Sequence, residues 1–97
     1  MNLRLYTDSR GRVPLSQWLD KLKDAKARAH IRARLARVAA GNFGDCKALR
    51  EGVQELRIDF GPGYRVYLSR QGDVLVLLLC GSNKADQSQA IKQAVDF

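Results

Sequence analysis

The sequence predicts a single α+β domain over residues 1–97, in which a helical hairpin packs on a small, mainly antiparallel sheet in the order β-α-α-β-β-β-α. Two observations lead to this class. Apolar residues recur at helical spacing between Pro14 and Gly41, and the period changes to two from Val53 onward. A hydrophobic content of 45% lets a chain of this length bury one modest core, which argues against wholesale disorder.

The first strand and the helical hairpin follow from local patterns. Leu3–Thr7 alternates apolar and polar residues, which predicts a short strand. Pro14 suits the first position of a helix. The apolar face of this helix consists of Leu15, Trp18, Leu19 and Leu22. Asp24 is a favoured N-cap for a second helix that ends at Gly41. The apolar stripe of the second helix consists of Ala27, Ile31, Leu35 and Val38.

A β-hairpin is expected after a loop that spans Asn42–Gly52. Val53–Phe60 alternates, Gly61–Gly63 is a strong turn signal, and the return strand runs over Tyr64–Ser69. We expect the helical hairpin to cover the apolar face of these strands. That face carries Leu56, Ile58, Tyr64 and Val66.

The last two elements are a buried strand and a helix. Val74–Cys80 is apolar on both faces, so it predicts a central strand. A helix should then begin at about Lys84, with Asn83 as its cap. Its apolar positions are Ala90, Ile91, Ala94 and Val95. A lysine in the first turn of a helix opposes the macrodipole, which invites a functional explanation for Lys84.

The charge balance favours a polyanionic partner. The chain has 17 Lys+Arg against 10 Asp+Glu, a formal net charge of +7, which suits nucleic acid, a ribosome or an acidic protein. Basic residues line the second helix and the loop after it, and four of them are candidate substrate-binding residues. These four are Arg28, Arg32, Lys47 and Arg50. The alternative is that these side chains form an ordinary solvated surface.

Several classes of function are excluded by composition. Cys46, Cys80 and the single histidine His30 do not have the spacing of a zinc site, so we expect neither metal nor cofactor. His30 fits a surface residue better than a catalyst. The N-terminus lacks a signal-peptide core, and the longest apolar run, Val74–Cys80, is too short to span a bilayer. We therefore expect a soluble cytoplasmic protein without a membrane partner.

The polar face of the hairpin is the candidate site. If the strands pair around the turn, Arg57 lies near Tyr67 and Arg65 lies near Asp59, all on one face. Guanidinium groups bind phosphate oxygens through two parallel hydrogen bonds, and Lys84 would add a third cation. A phosphate site is one interpretation, with Tyr67 as a further substrate-binding residue. Plain cross-strand salt bridges on a solvated sheet are the other.

Three motifs give the chain a resemblance to a known family. Gly52–Ile58 reads GVQELRI, Gly61–Tyr67 reads GPGYRVY, and Leu78–Lys84 reads LLCGSNK, with Leu49 before this series and Gln87 after it. In these segments, and over nearly the whole chain, the sequence closely resembles the RelE/ParE toxin superfamily. The nearest match is the HigB-like "addiction module killer protein" branch.

The resemblance implies a fold, a role and partners. The fold would be RelE-like. The protein would be the toxin of a type II toxin–antitoxin system, neutralised by a cognate helix-turn-helix antitoxin, and the complex would bind operator DNA. The commonest activity in such relatives is cleavage of mRNA on the ribosome, so translation stops. A ParE-like poison of DNA gyrase and a non-catalytic antitoxin-binding partner are the alternatives.

The implied chemistry needs no metal, because a ribose 2′-hydroxyl attacks the adjacent phosphate with help from a base, cations and an acid. By resemblance Arg65 matches the family's catalytic arginine and Arg57 matches a basic position on the preceding strand. Lys84 falls where the family often places another basic residue. The base stays open among Glu55, Asp59 and Tyr67, because Glu55 replaces a lysine of RelE and the chain has no Tyr or His beyond Tyr67.

Overall fold

The computed structural model describes residues 1–72 and 75–97, which form three helices and five strands. Their bounds are β1 Asn2–Leu5, α1 Pro14–Lys21, α2 Ala25–Ala39, β2 Cys46–Ala48, β3 Val53–Ile58, β4 Tyr64–Gln71, β5 Leu75–Asn83 and α3 Gln87–Asp96. The strands make one sheet in the order β1-β5-β4-β3-β2. β1 pairs with β5 in parallel, and the other three pairs are antiparallel.

The predicted RelE-like architecture, a helical hairpin on a small, mainly antiparallel sheet in the order β-α-α-β-β-β-α, is therefore wrong. The sheet is mixed and has a fifth strand, β2, inside the segment predicted as a loop. Three residues are too few to show an alternating pattern, so the sequence does not predict a strand over Cys46–Ala48. The parallel pairing of Asn2 with Leu75 joins distant segments, and no local pattern specifies such a partner.

The local signals for the two helices are confirmed. Pro14 is the first residue of α1. The side chain of Asp24 accepts hydrogen bonds from the backbone N–H groups of Lys26 and Ala27, at 2.9 and 3.3 Å, and so caps α2. The predicted apolar strand is also confirmed, because β5 lies between β1 and β4; Val74, its predicted first residue, lies outside the described residues.

Helices cover both faces of the sheet. α1 and α2 bury one face through Leu15, Leu19, Ala27, Ile31, Val38, Leu56, Ile58, Tyr64, Val66, Leu68, Val76 and Leu78. The predicted contact of the apolar hairpin face with the helical hairpin is therefore confirmed. α3 covers part of the other face. The buried residues that pack together on this face are Val53, Tyr67, Leu79, Cys80, Ala90 and Ala94.

The predicted register of the β3–β4 hairpin is wrong. Arg57 pairs with Arg65, not with Tyr67, which lies opposite Glu55. The connection takes five residues, numbers 59–63, because the tight turn closes between the carbonyl of Phe60 and the N–H of Gly63 at 3.1 Å. As a result the two guanidinium groups are cross-strand neighbours.

The predicted start of the last helix is also wrong. α3 begins at Gln87, and Asn83 instead closes the preceding turn, where its Oδ1 accepts a hydrogen bond from the N–H of Asp86 at 3.0 Å. Lys84 lies in this turn, so the macrodipole argument does not apply to it. The N–H of Lys84 donates to the carbonyl of Gly63 at 3.1 Å, which docks the turn onto the hairpin tip. Over residues 1–72 and 75–97, no helix combines the length and apolar character needed to cross a membrane.

Candidate functional site

A groove of about 380 Å³ lies at the tip of the β3–β4 hairpin. This tip groove is lined by Asp45, Arg57, Asp59, Gly61, Pro62, Gly63, Arg65 and Lys84. It gathers all three residues predicted to be catalytic. Arg57 comes from β3, Arg65 from β4 and Lys84 from the turn after β5, so three separate segments supply the cations.

A buried carboxylate holds the two arginines. Glu55 Oε1 lies 3.2 Å from the Nε of Arg57, which donates a hydrogen bond to it, and 3.7 Å from the Nε of Arg65. The Glu55 side chain is 1% exposed, whereas the Arg57 and Arg65 side chains are 38% and 15% exposed. The carboxylate therefore sits beneath the guanidinium groups. Glu55 was a candidate base, but it does not line the groove.

The helix α3 reaches the same carboxylate. Gln87, its first residue, donates from Nε2 to Glu55 Oε2 at 2.7 Å. Gln87 appeared in the sequence only as the last position of a motif. Its residue type gave no sign of this contact, because an amide carries no charge and the contact joins residues far apart in the chain.

Backbone contacts fix the wall of the groove nearest β2. Arg34 on α2 donates hydrogen bonds to the carbonyls of Arg57 and Phe43, the latter at 2.9 Å. The N–H of Arg57 donates to the carbonyl of Asp45 at 2.9 Å. Arg34 stood out in the sequence only as one of the basic residues of the second helix. Its guanidinium instead ties α2 to the end of β3 and to the loop that carries Asp45.

The turn brings its backbone close to the cations at Gly63. A Cβ atom at Gly63 would lie 3.6 Å from Arg65 Nη1 and 3.9 Å from the Cβ of Lys84. The φ angle of Gly63 is +84°, a conformation that residues with side chains rarely adopt. The backbone conformation of the turn therefore favours glycine at this position.

The groove carries both positive and negative side chains. Arg57, Arg65 and Lys84 supply the positive charge, and Asp45 and Asp59 supply exposed carboxylates. Within the described ranges, neither aspartate forms an ion pair with these cations. Cations can bind a phosphate and stabilise the negative charge of its transition state, while a carboxylate can accept a proton. Sequence reasoning named Asp59 and missed Asp45, for which a position in a Gly-rich loop was the only signal.

Tyr67 lies in the interior instead of the groove. It is fully buried, and its hydroxyl group is 3.2 Å from the Oγ of Ser82. Burial raises the pKa of Tyr67 to about 12. A side chain in this position has no surface to offer a substrate and does not give up its proton near neutral pH.

The free energy of unfolding should decrease at alkaline pH because the Tyr67 hydroxyl and the Cys80 thiol are buried. Burial raises the pKa of Tyr67 from 10.0 to about 12 and that of Cys80 from 9.0 to about 12. The unfolded chain binds fewer protons in this window, so stability is lost as pH rises. We expect the free energy of unfolding to fall by roughly 2–4 kcal/mol between about pH 9 and about pH 11. Urea unfolding curves recorded across this pH range measure the free energy of unfolding. Tyr67→Phe should reduce its decrease in the upper part of the range. A constant free energy would contradict the prediction.

The other predicted substrate-binding residues lie outside the tip groove. Lys47 is exposed on the edge strand β2, opposite Glu55, and Arg50 is exposed in the turn before β3. Arg28 and Arg32 lie on α2, on the other side of the sheet, and Arg28 donates a hydrogen bond to the carbonyl of Leu22. A ligand that touched these residues and the groove together would have to be extended, like a polynucleotide.

His30 and the cysteines take no part in the groove. The imidazole of His30 stacks on the ring of Phe60 with 4.1 Å between ring centroids. Within residues 1–72 and 75–97, no group of three His, Cys, Asp or Glu side chains is arranged to hold a metal ion.

These features define a small basic protein with a mixed five-stranded sheet, helices on both faces and a cationic groove at one hairpin tip. No family model matches the chain. An uncharacterized protein of Haemophilus influenzae is 57% identical over 82 residues, which cover 84% of this chain and 83% of that protein. This chain belongs to the same family as the Haemophilus influenzae protein.

Proposed function

We propose that this protein is the toxin of a type II toxin–antitoxin system and that it cleaves mRNA on the ribosome. The observation that carries the proposal is the convergence of Arg57, Arg65 and Lys84 on one groove. The motif resemblance to HigB-like toxins of the RelE/ParE superfamily supports the same activity. In this proposal the protein acts in the cytoplasm, and a cognate helix-turn-helix antitoxin neutralises it.

The reaction would use the groove as an anion site. The message places one phosphate against the guanidinium groups of Arg57 and Arg65, which bind its non-bridging oxygens. The ribose O2′ attacks phosphorus, the O2′–P bond forms and the P–O5′ bond breaks. The products are a 2′,3′-cyclic phosphate and a free 5′-hydroxyl. The extra negative charge of the transition state then meets cations that are already in place.

Two proton transfers complete the cleavage reaction. An exposed carboxylate at the rim, from Asp45 or Asp59, accepts the proton of the 2′-hydroxyl. The ammonium group of Lys84 donates a proton to the leaving O5′. Glu55 and Tyr67 are excluded as the base because both are fully buried. The ribosome would supply the orientation of the message, which accounts for much of the rate in such reactions.

Expression in translating cells tests the proposal. The protein is induced without its antitoxin, and the 5′ ends of cellular messages are mapped, with Asp45→Asn and Asp59→Asn as companion variants. We expect new ends within translated codons and a loss of at least about 100-fold in cleavage rate for whichever aspartate is the base. Continued translation without new ends would contradict the proposal.

The same experiment separates the two alternatives. DNA damage and inhibited supercoiling, with translation intact, would identify a gyrase poison. Normal growth without the antitoxin would identify a non-catalytic antitoxin-binding partner.

A further inference from the structure

We infer that Glu55 and Gln87 form a brace that positions both arginines for the phosphate, which makes α3 part of the site. The inference rests on the proposed function of the tip groove. It assigns positioning roles to two residues that do not line the groove, one of them on the C-terminal helix.

The contacts of the two guanidinium groups leave part of Arg57 available to a ligand. Glu55 contacts both arginines at their Nε atoms, at 3.2 Å for Arg57 and 3.7 Å for Arg65. In the described part of the chain, no hydrogen bond engages the terminal nitrogens of Arg57, whereas Arg65 Nη1 donates to the carbonyl of Tyr64 at 3.2 Å. The fork of Arg57 is therefore available to an oxyanion.

Arg57 and Arg65 share one oxygen of Glu55 unequally. Glu55 Oε1 accepts a hydrogen bond from Arg57 but lies 3.7 Å from the Nε of Arg65. That Nε is buried and has no hydrogen-bond partner within the described residues. The carboxylate thus attracts Arg65 without fixing it by a hydrogen bond. A small rotation of the carboxylate would change the position of both arginines at once.

Gln87 restrains this rotation from the other oxygen of the carboxylate. Its 2.7 Å hydrogen bond holds Glu55 Oε2, the oxygen that neither arginine touches. A carboxylate held at one oxygen by an amide keeps the other oxygen in place for the arginines. Glutamine does this without adding charge, so it leaves the net charge of the groove unchanged.

The charge of Glu55 allows a positioning role to be distinguished from simple binding of the anion. Glu55 offsets part of the arginine charge, so Glu55→Gln makes the region one unit more positive. Affinity for a polyanion should then be kept or slightly increased, while the alignment of the guanidinium groups is lost. Cleavage and binding should therefore respond differently, which a purely structural role does not predict.

The experiment compares matched pairs of variants of the full chain. Gln87→Ala is compared with Gln93→Ala, the same change at an exposed position of the same helix. Glu55→Gln is compared with Asp20→Asn, which also adds one positive charge, at an exposed position of α1. Each variant is assayed for single-turnover cleavage of ribosome-bound message and for the Kd of a short single-stranded RNA.

We expect Gln87→Ala and Glu55→Gln to lower the cleavage rate about 10-fold to 100-fold relative to their controls. The RNA Kd should stay within about threefold of the controls. Equal rates for Gln87→Ala and Gln93→Ala would overturn the inference, and so would a parallel loss of binding and cleavage. If Glu55→Gln does not fold, the Gln87 pair decides the outcome.

A spectroscopic measurement tests the brace without cleavage. In ¹⁵N-labelled protein, the Nε–H signals of Arg57 and Arg65 should be resolved and slow to exchange with water. Gln87→Ala should broaden or shift both signals, and Gln93→Ala should leave them unchanged. Unchanged signals in Gln87→Ala would refute the brace. If the wild-type protein cleaves no message, the proposed function fails, and these signals still decide whether the brace exists.

Discussion

Arg65→Ala is expected to lower message cleavage by about 100-fold to 1,000-fold, which is the usual loss when a preorganised transition-state donor is removed. Arg65 lines the tip groove and its guanidinium lies beside that of Arg57. Only 15% of its side chain is exposed, so little water screens its charge. The loss should appear in the single-turnover rate.

The fold should survive this substitution, because Glu55 keeps Arg57 and Gln87 as partners. We expect a stability loss of about 1–3 kcal/mol, since one partner of a buried carboxylate is lost. Arg4→Ala is the matched control, an exposed arginine on the edge strand β1. Arg65→Lys keeps the charge but cannot form two parallel hydrogen bonds. Its activity should therefore fall between those of Arg65→Ala and Arg4→Ala. Equal activity of Arg65→Ala and Arg4→Ala would refute the role of Arg65.

Gly81→Ala is expected to destabilise the protein by about 3 kcal/mol, at the upper end for overpacked cores. A Cβ atom at Gly81 would lie 2.2 Å from Cε3 of Trp18 and 2.4 Å from its Cζ3. The indole ring therefore lies directly on the backbone of β5. Trp18 also meets Tyr64 edge-on with 6.1 Å between ring centroids, which limits how far the indole can shift.

Thermal unfolding measures this effect, and we expect the Tm to fall by roughly 10–20 °C for a domain of this size. A double-mutant cycle with Trp18→Ala identifies the cause, because the clash disappears when the indole is absent. Gly81→Ala should then cost much less in the Trp18→Ala background than in the wild type. The same cost in both backgrounds would show that the indole is not responsible.

The elements predicted best were those with a strong period. The amphipathic stripes located α1 and α2, and alternation located β3 and β4. The sheet itself was predicted poorly because pairing is decided over long distances. The Gly61–Gly63 signal allowed either a three-residue or a five-residue connection, and that choice determines whether Arg57 faces Tyr67 or Arg65.

The candidate site shows the same limit of sequence reasoning. Alternation and motif together selected Arg57, Arg65 and Lys84, and these residues do line one groove. Alternation also put Glu55 and Tyr67 on the polar side of the hairpin, and both are fully buried. The period of a strand identifies the face to which a side chain points. Whether a helix such as α3 covers that face depends on the tertiary structure.

The parallel pairing of β1 with β5 has a consequence for the order of folding. β1 is the first strand of the sheet in sequence order, yet within the described residues its one partner, β5, is made after β4. Closing so long a loop is entropically unfavourable until the antiparallel strands already provide a template. The groove also depends on a late segment of the chain, because Lys84 and Gln87 follow β5. During synthesis the arginines of β3 and β4 therefore emerge from the ribosome before Lys84, which lines the same groove, and before Gln87, which bonds to Glu55.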